Sequence, residues 1–224
     1  MKSLFHSVIL NDFCEAYAAL QRLRREAESR RVLQETNLRK INELVASGNP
    51  VKVEFGAGAP RGLAGWTYVD RVYTCDLVMD LTQPMLFPDD CIDEIYSSHL
   101  LEHFSYAELA VFLRECRRIL KPGGHFSAAV PNARLFIEPY SQPEKADVQA
   151  LCRHRPALNG ATGIDVINYI AYMDGHHKYM FDEENLPEVL RVAGFRNVRM
   201  RGFDETIDSV GRSDISIYVL AEKT

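Results

Sequence analysis

The chain has 224 residues, 46% of them hydrophobic and 25% charged, enough to bury one good core, so a single α/β domain with an appendage is the default. Its formal net charge of −5 gives no support for a nucleic-acid substrate, whose phosphates call for a basic face. Cys14, Cys75, Cys91, Cys116 and Cys152 are odd in number, scattered and without a C-x-x-C pair, which argues against a disulfide framework and against a zinc knuckle.

In chain order, Met1 to Leu10 is too interrupted an apolar run for a signal peptide, and no later stretch approaches the roughly 18 apolar residues of a membrane span. A cytoplasmic protein without a membrane partner is expected. From about Asn11 to Ser47 there is no Gly or Pro, and Leu20, Leu23, Ala27, Leu38, Ile41 and Val45 recur at helical spacing. Gly48-Asn49-Pro50 then stops the predicted helix. Arg22, Arg24, Arg25, Arg30, Arg31, Arg39 and Lys40 alternate with Glu26, Glu28 and Glu35, the pattern of a solvated face, with a nucleic-acid or membrane contact as the alternative. Residues 1–48 are therefore expected to form a helical extension that covers part of a binding site or mediates homodimerisation.

Val51-Lys-Val-Glu-Phe-Gly-Ala-Gly58 follows: a β-branched strand running into a glycine turn that lets a ligand approach the backbone closely. Asp70 and Asp80-Leu81 come at the next two strand ends, where ribose and adenine could hydrogen-bond. A dinucleotide fingerprint G-x-G-x-x-G needs a third glycine for helix packing, and Arg61 stands in its place. Glu54, just before the turn, would repel a pyrophosphate but suits an amino group or a sulfonium. That favours S-adenosylmethionine over NAD.

Strands are predicted at 51–55, 66–70, near 75–79, at 92–97 and at 124–130. A helix at 106–119 puts Leu109, Phe112, Leu113, Cys116 and Leu120 on one face. Alternating strands and crossovers imply a parallel sheet. A helix from Asp182 to Ala193 and strands at 198–203 and 215–221 close the domain. Between Gly58 and Trp66 only residues 59–65 intervene, Pro60, Gly62 and Gly65 among them, so the first crossover is expected to shrink to about one helical turn. Residues 132–180 form a long segment rich in aromatic residues and histidine, placed beyond the carboxyl ends of the strands to make a lid and substrate pocket.

Glu54-Phe-Gly-Ala-Gly58, Asp70, Asp80-Leu81, Asp93 to His103 and Arg118-Ile-Leu-Lys-Pro-Gly-Gly124, in this order, resemble the successive motifs of class I S-adenosylmethionine-dependent methyltransferases, in particular the small-molecule, type 11-like branch. The resemblance runs from about Val51 to the C-terminus. It implies a Rossmann-like seven-stranded sheet, mostly parallel with the last strand antiparallel, in a domain spanning 49–224. It also implies S-adenosyl-L-methionine as cofactor and a small-molecule acceptor such as a sugar or secondary metabolite. The implied cofactor site is Glu54, Phe55, Gly56, Ala57, Gly58, Asp70, Arg71, Asp80, Leu81, Ser98 and His99.

Methyl transfer to an alcohol needs a proton acceptor, and a histidine near neutral pKa is the natural candidate. His99 and His103 stand at the exit of the fourth strand, and His176 and His177 in the lid; His99, His103 and His177 are taken as the catalytic candidates. His99-Leu-Leu-Glu-His103 also matches the inverted zincin pattern H-x-x-E-H. A zinc protease would leave the glycine turn and both aspartates unexplained, and no metal ligand is assigned. A Rossmann NAD(P)-dependent oxidoreductase and a noncatalytic nucleotide-binding relative remain the alternatives.

Overall fold

The computed structural model describes residues 2–141, 148–158, 160 and 162–224, and the chain divides into two compact units, Met1–Glu43 and Leu44–Thr224. The first is dominated by helix α1, Lys2–Ala46, which starts well before the predicted Asn11 because the residues from Lys2 onward also lack Gly and Pro. Its mixed charges answer one another at helical spacing: Arg31 pairs with Glu28 at 2.8 Å and with Glu35 at 3.7 Å, and Arg39 pairs with Glu43 at 3.3 Å. The solvated-face reading of the charge run therefore holds at these positions. Among the described residues, no helix is long and apolar enough to cross a membrane.

The second unit is built on a seven-stranded sheet. Its strands are β1 (Lys52–Phe55), β2 (Trp66–Asp70), β3 (Leu77–Val78), β4 (Ile92–Ser98), β5 (Leu120–Pro131), β6 (Arg196–Arg201) and β7 (Ser216–Glu222), in the order β3-β2-β1-β4-β5-β7-β6. The pairs from β3 to β5 are parallel, while β7 runs antiparallel between β5 and β6. Val53, Phe55, Val69, Ile92 and Tyr96 are completely buried, as strands covered on both faces must be.

The order reverses between β1 and β4: the chain builds outward from β1 to β3, then returns to add β4 and β5 on the other side. Such a switch point opens a crevice at the carboxyl edge of the sheet. The register puts Phe55 opposite both Val69 and Ser97, so the turn after β1, the end of β2 and the end of β4 all reach that edge together.

Helix α2, Tyr106–Ile119, is set by a complete capping box: Ser105 accepts from the Glu108 N–H, and Glu108 returns a bond to the Ser105 N–H at 2.7 Å. It buries Leu109, Phe112, Leu113, Cys116 and Ile119. Phe112 meets Phe55 edge-on at 5.8 Å and stacks on Phe104 at 4.8 Å, pinning the helix across β1.

Three details depart from the sequence expectations. The first crossover contains no helical turn: Gly56, Gly58, Gly62 and Gly65 all take left-handed φ angles, which break a helix before it nucleates. Strand β5 begins at Leu120, four positions before the expected 124, directly after α2 ends, so Lys121-Pro122-Gly123-Gly124 lies inside it. Strand β6 starts at Arg196, two positions before the expected 198, since helix α5 (Asn185–Val192) ends early at the left-handed Gly194.

The described parts of the 132–180 segment carry helices α3 (Arg134–Ser141) and α4 (Gly163–Tyr172). They close around a small core of their own, which includes Phe136, Cys152, Val166, Tyr169 and Ile170. Residues 142–147, 159 and 161 of that segment lie outside the described residues.

Candidate active site

At the switch point a cleft of about 190 Å³ is lined by Glu54, Gly56, Ala57, Gly58, Arg61, Ser98, His99, Ser209 and Arg212. Gly56 takes φ +72°, and its missing side chain is what lets Leu100 approach: a Cβ there would lie 2.7 Å from Leu100 Cδ1 and 2.8 Å from its Cβ. At Gly58, φ +65°, a Cβ would meet nothing within 4 Å. Gly56→Ala should therefore cost about 1–3 kcal/mol by overpacking in addition to left-handed strain, whereas Gly58→Ala costs only the strain, about 1–2 kcal/mol. Thermal melts of the two variants compare them, and equal losses would contradict the role given to Leu100.

Glu54 is 2% exposed and paired with Arg61 at 2.7 Å. Burial raises its carboxyl pKa, with the Arg61 ion pair working in the opposite direction. Arg61, which in the sequence merely replaced a glycine, is thus the counter-ion of the residue thought to meet a cationic cofactor. It also lies 5.3 Å over the Tyr96 ring. The bare negative charge inferred for Glu54 is corrected by this pair. Both Arg61 bonds end on Oε2, so Oε1 is left for a further donor in the cleft.

The other predicted residues separate into two groups. Gly56, Ala57, Gly58, Ser98 and His99 line the cleft with Glu54. Phe55 does not: its ring is fully buried between Phe87 and Phe112, so it contributes no side chain to a cofactor. Asp70 stands at the end of β2, where Oδ2 accepts from the Gly58 N–H at 2.8 Å and Oδ1 from the Arg71 N–H at 2.5 Å. This carboxylate braces the glycine turn. Asp80 closes an Asx-turn on Thr82, with 3.1 Å to its N–H and 2.7 Å to its hydroxyl, and Arg71 reaches it at 3.3 Å. Burial opposes ionisation of Asp80, but the Thr82 bonds and Arg71 outweigh it and hold the pKa low. Leu81 beside it is buried.

His99 leaves β4 with φ +53°, a strained conformation for a residue with a Cβ, and Leu101–His103 forms a single 3-10 turn. The inverted zincin pattern fails on this geometry, because His99 and His103 do not share a helix face. Burial drives the His99 pKa down to about 3, with the charge of Arg212 adding to it. His103 and His177 are also lowered by burial, against the carbonyls of His176 and Ile170 that bond their rings. All three candidate bases are held neutral. Their rings converge: His103 and His177 lie 5.2 Å apart, edge to face. Burial pushes the Glu102 carboxyl, the acid of the H-x-x-E-H pattern, up to about 8.

Sequence reasoning missed Ser209 and Arg212, which come from the stretch between β6 and β7 and carry no local motif. Arg212 brings a positive charge to the cleft near Ser98, whose carbonyl its Nη1 approaches at 3.4 Å. The stretch is anchored from behind by Asp208, fully buried, which pairs with Arg201 at 2.6 Å and accepts the Tyr96 hydroxyl at 2.8 Å.

A family model described as a methyltransferase domain matches residues 55–128. No curated protein matches the chain. Among solved structures it is similar to a SAM dependent methyltransferase from Archaeoglobus fulgidus, with 17% identity and a TM-score of 0.48 over 87% of this chain and 94% of that one. One from Aquifex aeolicus shows 15% identity and a TM-score of 0.46 over 86% and 92%. A phosphoethanolamine N-methyltransferase from Haemonchus contortus shows 11% and 0.48 over 83% and 53%. Likenesses this distant carry none of the reasoning. The family match instead runs from the end of β1 into β5, the strands whose switch point forms the cleft, and supports the resemblance to class I S-adenosylmethionine-dependent methyltransferases read from the sequence.

Proposed function

We propose that the chain methylates a hydroxyl group of a small acceptor, such as a sugar or a secondary metabolite. The observation that supports this reading is His99, a neutral imidazole in the wall of the cofactor cleft whose Nδ1 faces Glu102 at 3.6 Å. The residues of the cleft fit the cofactor: Glu54 Oε1 is available to an amino group, Arg212 to a carboxylate, and the open space over Gly58 to a close backbone approach. Asp70 would accept from ribose hydroxyls, with Asp80 and Leu81 at the adenine end. When bound, S-adenosylmethionine supplies an electrophilic methyl group on a sulfonium sulfur.

The chain's own contribution is positioning and exclusion of water. Neutral imidazoles at His99, His103 and His177 bring no repelling charge to a hydroxyl. The acceptor oxygen would form the bond to the methyl carbon, sulfur would keep the electron pair of the broken C–S bond, and the hydroxyl proton would pass to water.

The experiment is a panel of hydroxylated small molecules incubated with protein and S-adenosylmethionine, read as S-adenosylhomocysteine formed. Turnover on at least one hydroxyl compound is expected, with His99→Ala lowering it at least tenfold. Turnover confined to amines or thiols would contradict the hydroxyl assignment.

A further inference from the structure

Behind His99 the fold gathers Glu102, His103 and His177. Glu102 is 1% exposed, and neither carboxylate oxygen has a hydrogen-bond partner among the described residues. The bonds that Lys178 and Tyr179 make to this residue go to its backbone carbonyl, at 2.8 and 3.2 Å. A buried carboxylate left without partners costs free energy that a fold does not accept without compensation.

The histidines around it are held by their far nitrogens. His103 Nδ1 lies 2.9 Å from the carbonyl of His176, and His177 Nδ1 lies 2.8 Å from the carbonyl of Ile170. A carbonyl only accepts, so each ring carries its proton on Nδ1 and presents Nε2 as a lone pair. His99 is set the other way round. Ser216 donates its single hydroxyl proton to the Arg212 carbonyl at 2.7 Å and therefore accepts from His99 Nε2 at 2.8 Å. The remaining lone pair of His99, on Nδ1, stands 3.6 Å from Glu102 Oε1.

Ligand atoms of Glu102, His103 and His177 all lie within 4.8 Å of one another. Donors about 2.0–2.1 Å from one tetrahedral ion are about 3.4 Å apart, a spacing these side chains reach by small rotations. We propose that Glu102, His103 and His177 bind a divalent first-row transition-metal cation of the zinc or manganese class, with His99 Nδ1 in reach as a further donor.

Two imidazoles with one carboxylate are the wrong set for magnesium or calcium, which take oxygen ligands. Fixing each ring through a backbone carbonyl is the outer arrangement that metal-binding histidines use. Resting on the methyltransferase reading above, the ion would stand on the acceptor side of His99 and hold an acceptor oxygen. Its hydroxyl proton would pass to water, and the oxygen's electron pair would form the bond to the methyl carbon as the C–S bond breaks.

The test is isothermal titration of chelator-treated full chain with ZnCl₂, MnCl₂ and, for contrast, MgCl₂, with bound metal counted by mass spectrometry. Stoichiometric binding of zinc or manganese is expected, weakened at least tenfold in Glu102→Gln and His177→Ala. His125→Ala, whose ring is on the surface beside Glu222, should bind as the wild type does. Substitution with Co²⁺ should give d–d absorption without a thiolate charge-transfer band. If circular dichroism shows a variant unfolded, the wild-type stoichiometry and the Co²⁺ spectrum decide.

Lack of stoichiometric binding by the wild type would overturn the site, as would undiminished binding in both folded variants, a thiolate band, or magnesium bound as tightly as zinc and manganese. No cofactor is present in these titrations. A chain that binds metal but not S-adenosylhomocysteine keeps this site and loses the methyltransferase reading, and the reverse result does the opposite.

Discussion

Asp208→Ala should lower stability by about 3–5 kcal/mol, the cost of leaving one partner of a buried ion pair alone. Asp208 is fully buried and Arg201 nearly so, and the carboxylate satisfies three elements at once: the Arg201 fork at 2.6 and 2.8 Å, the Tyr96 hydroxyl of β4 at 2.8 Å, and the Asp204 N–H at 2.7 Å. Arg201 also stacks 4.9 Å over Tyr218 and donates to Ser127 at 3.0 Å, so β4, β5, β6 and β7 are joined through this one pair. Removing the acid takes the Asp208 acceptor from the Tyr96 hydroxyl and leaves the Arg201 guanidinium with only Ser127 and the Gly202 carbonyl. For a domain of this size the melting temperature should fall by about 6–20 °C. The double variant Arg201→Met, Asp208→Leu should recover most of the loss, because a well-packed apolar pair replaces a buried ionic one at little cost. A single-variant loss below about 1 kcal/mol would contradict the account of the 202–209 stretch as anchored by Asp208.

Asp70→Ala should weaken binding of S-adenosylhomocysteine by about 1.5–3 kcal/mol, roughly 10- to 150-fold in Kd. Two effects combine. The carboxylate is proposed to accept ribose hydroxyls, and it already accepts the Gly58 N–H at 2.8 Å, so its loss also slackens the glycine turn. Asp70→Asn separates them, since the amide oxygen still accepts from Gly58 while the charge is lost. Titration calorimetry measures both variants, and unchanged affinity in Asp70→Ala would remove the residue from the site.

The sheet was legible in the sequence because β-branched runs and glycine turns recur at α/β spacing: β1, β2 and α2 lie within a residue of the expected 51–55, 66–70 and 106–119. The cleft was legible only in part. Glu54, Gly56, Gly58, Ser98 and His99 sit at strand ends that local pattern marks, and all line it. Arg212 and Ser209 come from a stretch with no motif, brought there by long-range bonds such as Tyr96 to Asp208. Adjacency in the motif hides the alternation of a strand, which turns the Phe55 ring to the core while Glu54 faces the cleft. Glu102 was passed over for a related reason. An acid after two leucines looks like a solvated helix start, and only the return of the chain at Lys178 and Tyr179 covers it.

The Glu54–Arg61 pair changes the argument for the cofactor. Composition around the turn suggested an unopposed carboxylate that selects a cation, whereas the fold supplies both charges and leaves one oxygen and Arg212 to recognise an amino acid's two ends. That combination suits a methionyl group, whose amino group would meet Glu54 Oε1 and whose carboxylate would meet Arg212.

Calorimetric titration of the full chain with S-adenosylhomocysteine and, separately, with NADH tests this most directly. Saturable binding of S-adenosylhomocysteine at micromolar concentrations with no heat from NADH is the expected result. Binding of NADH, or no binding of S-adenosylhomocysteine at millimolar concentration, would contradict the assignment of the cleft.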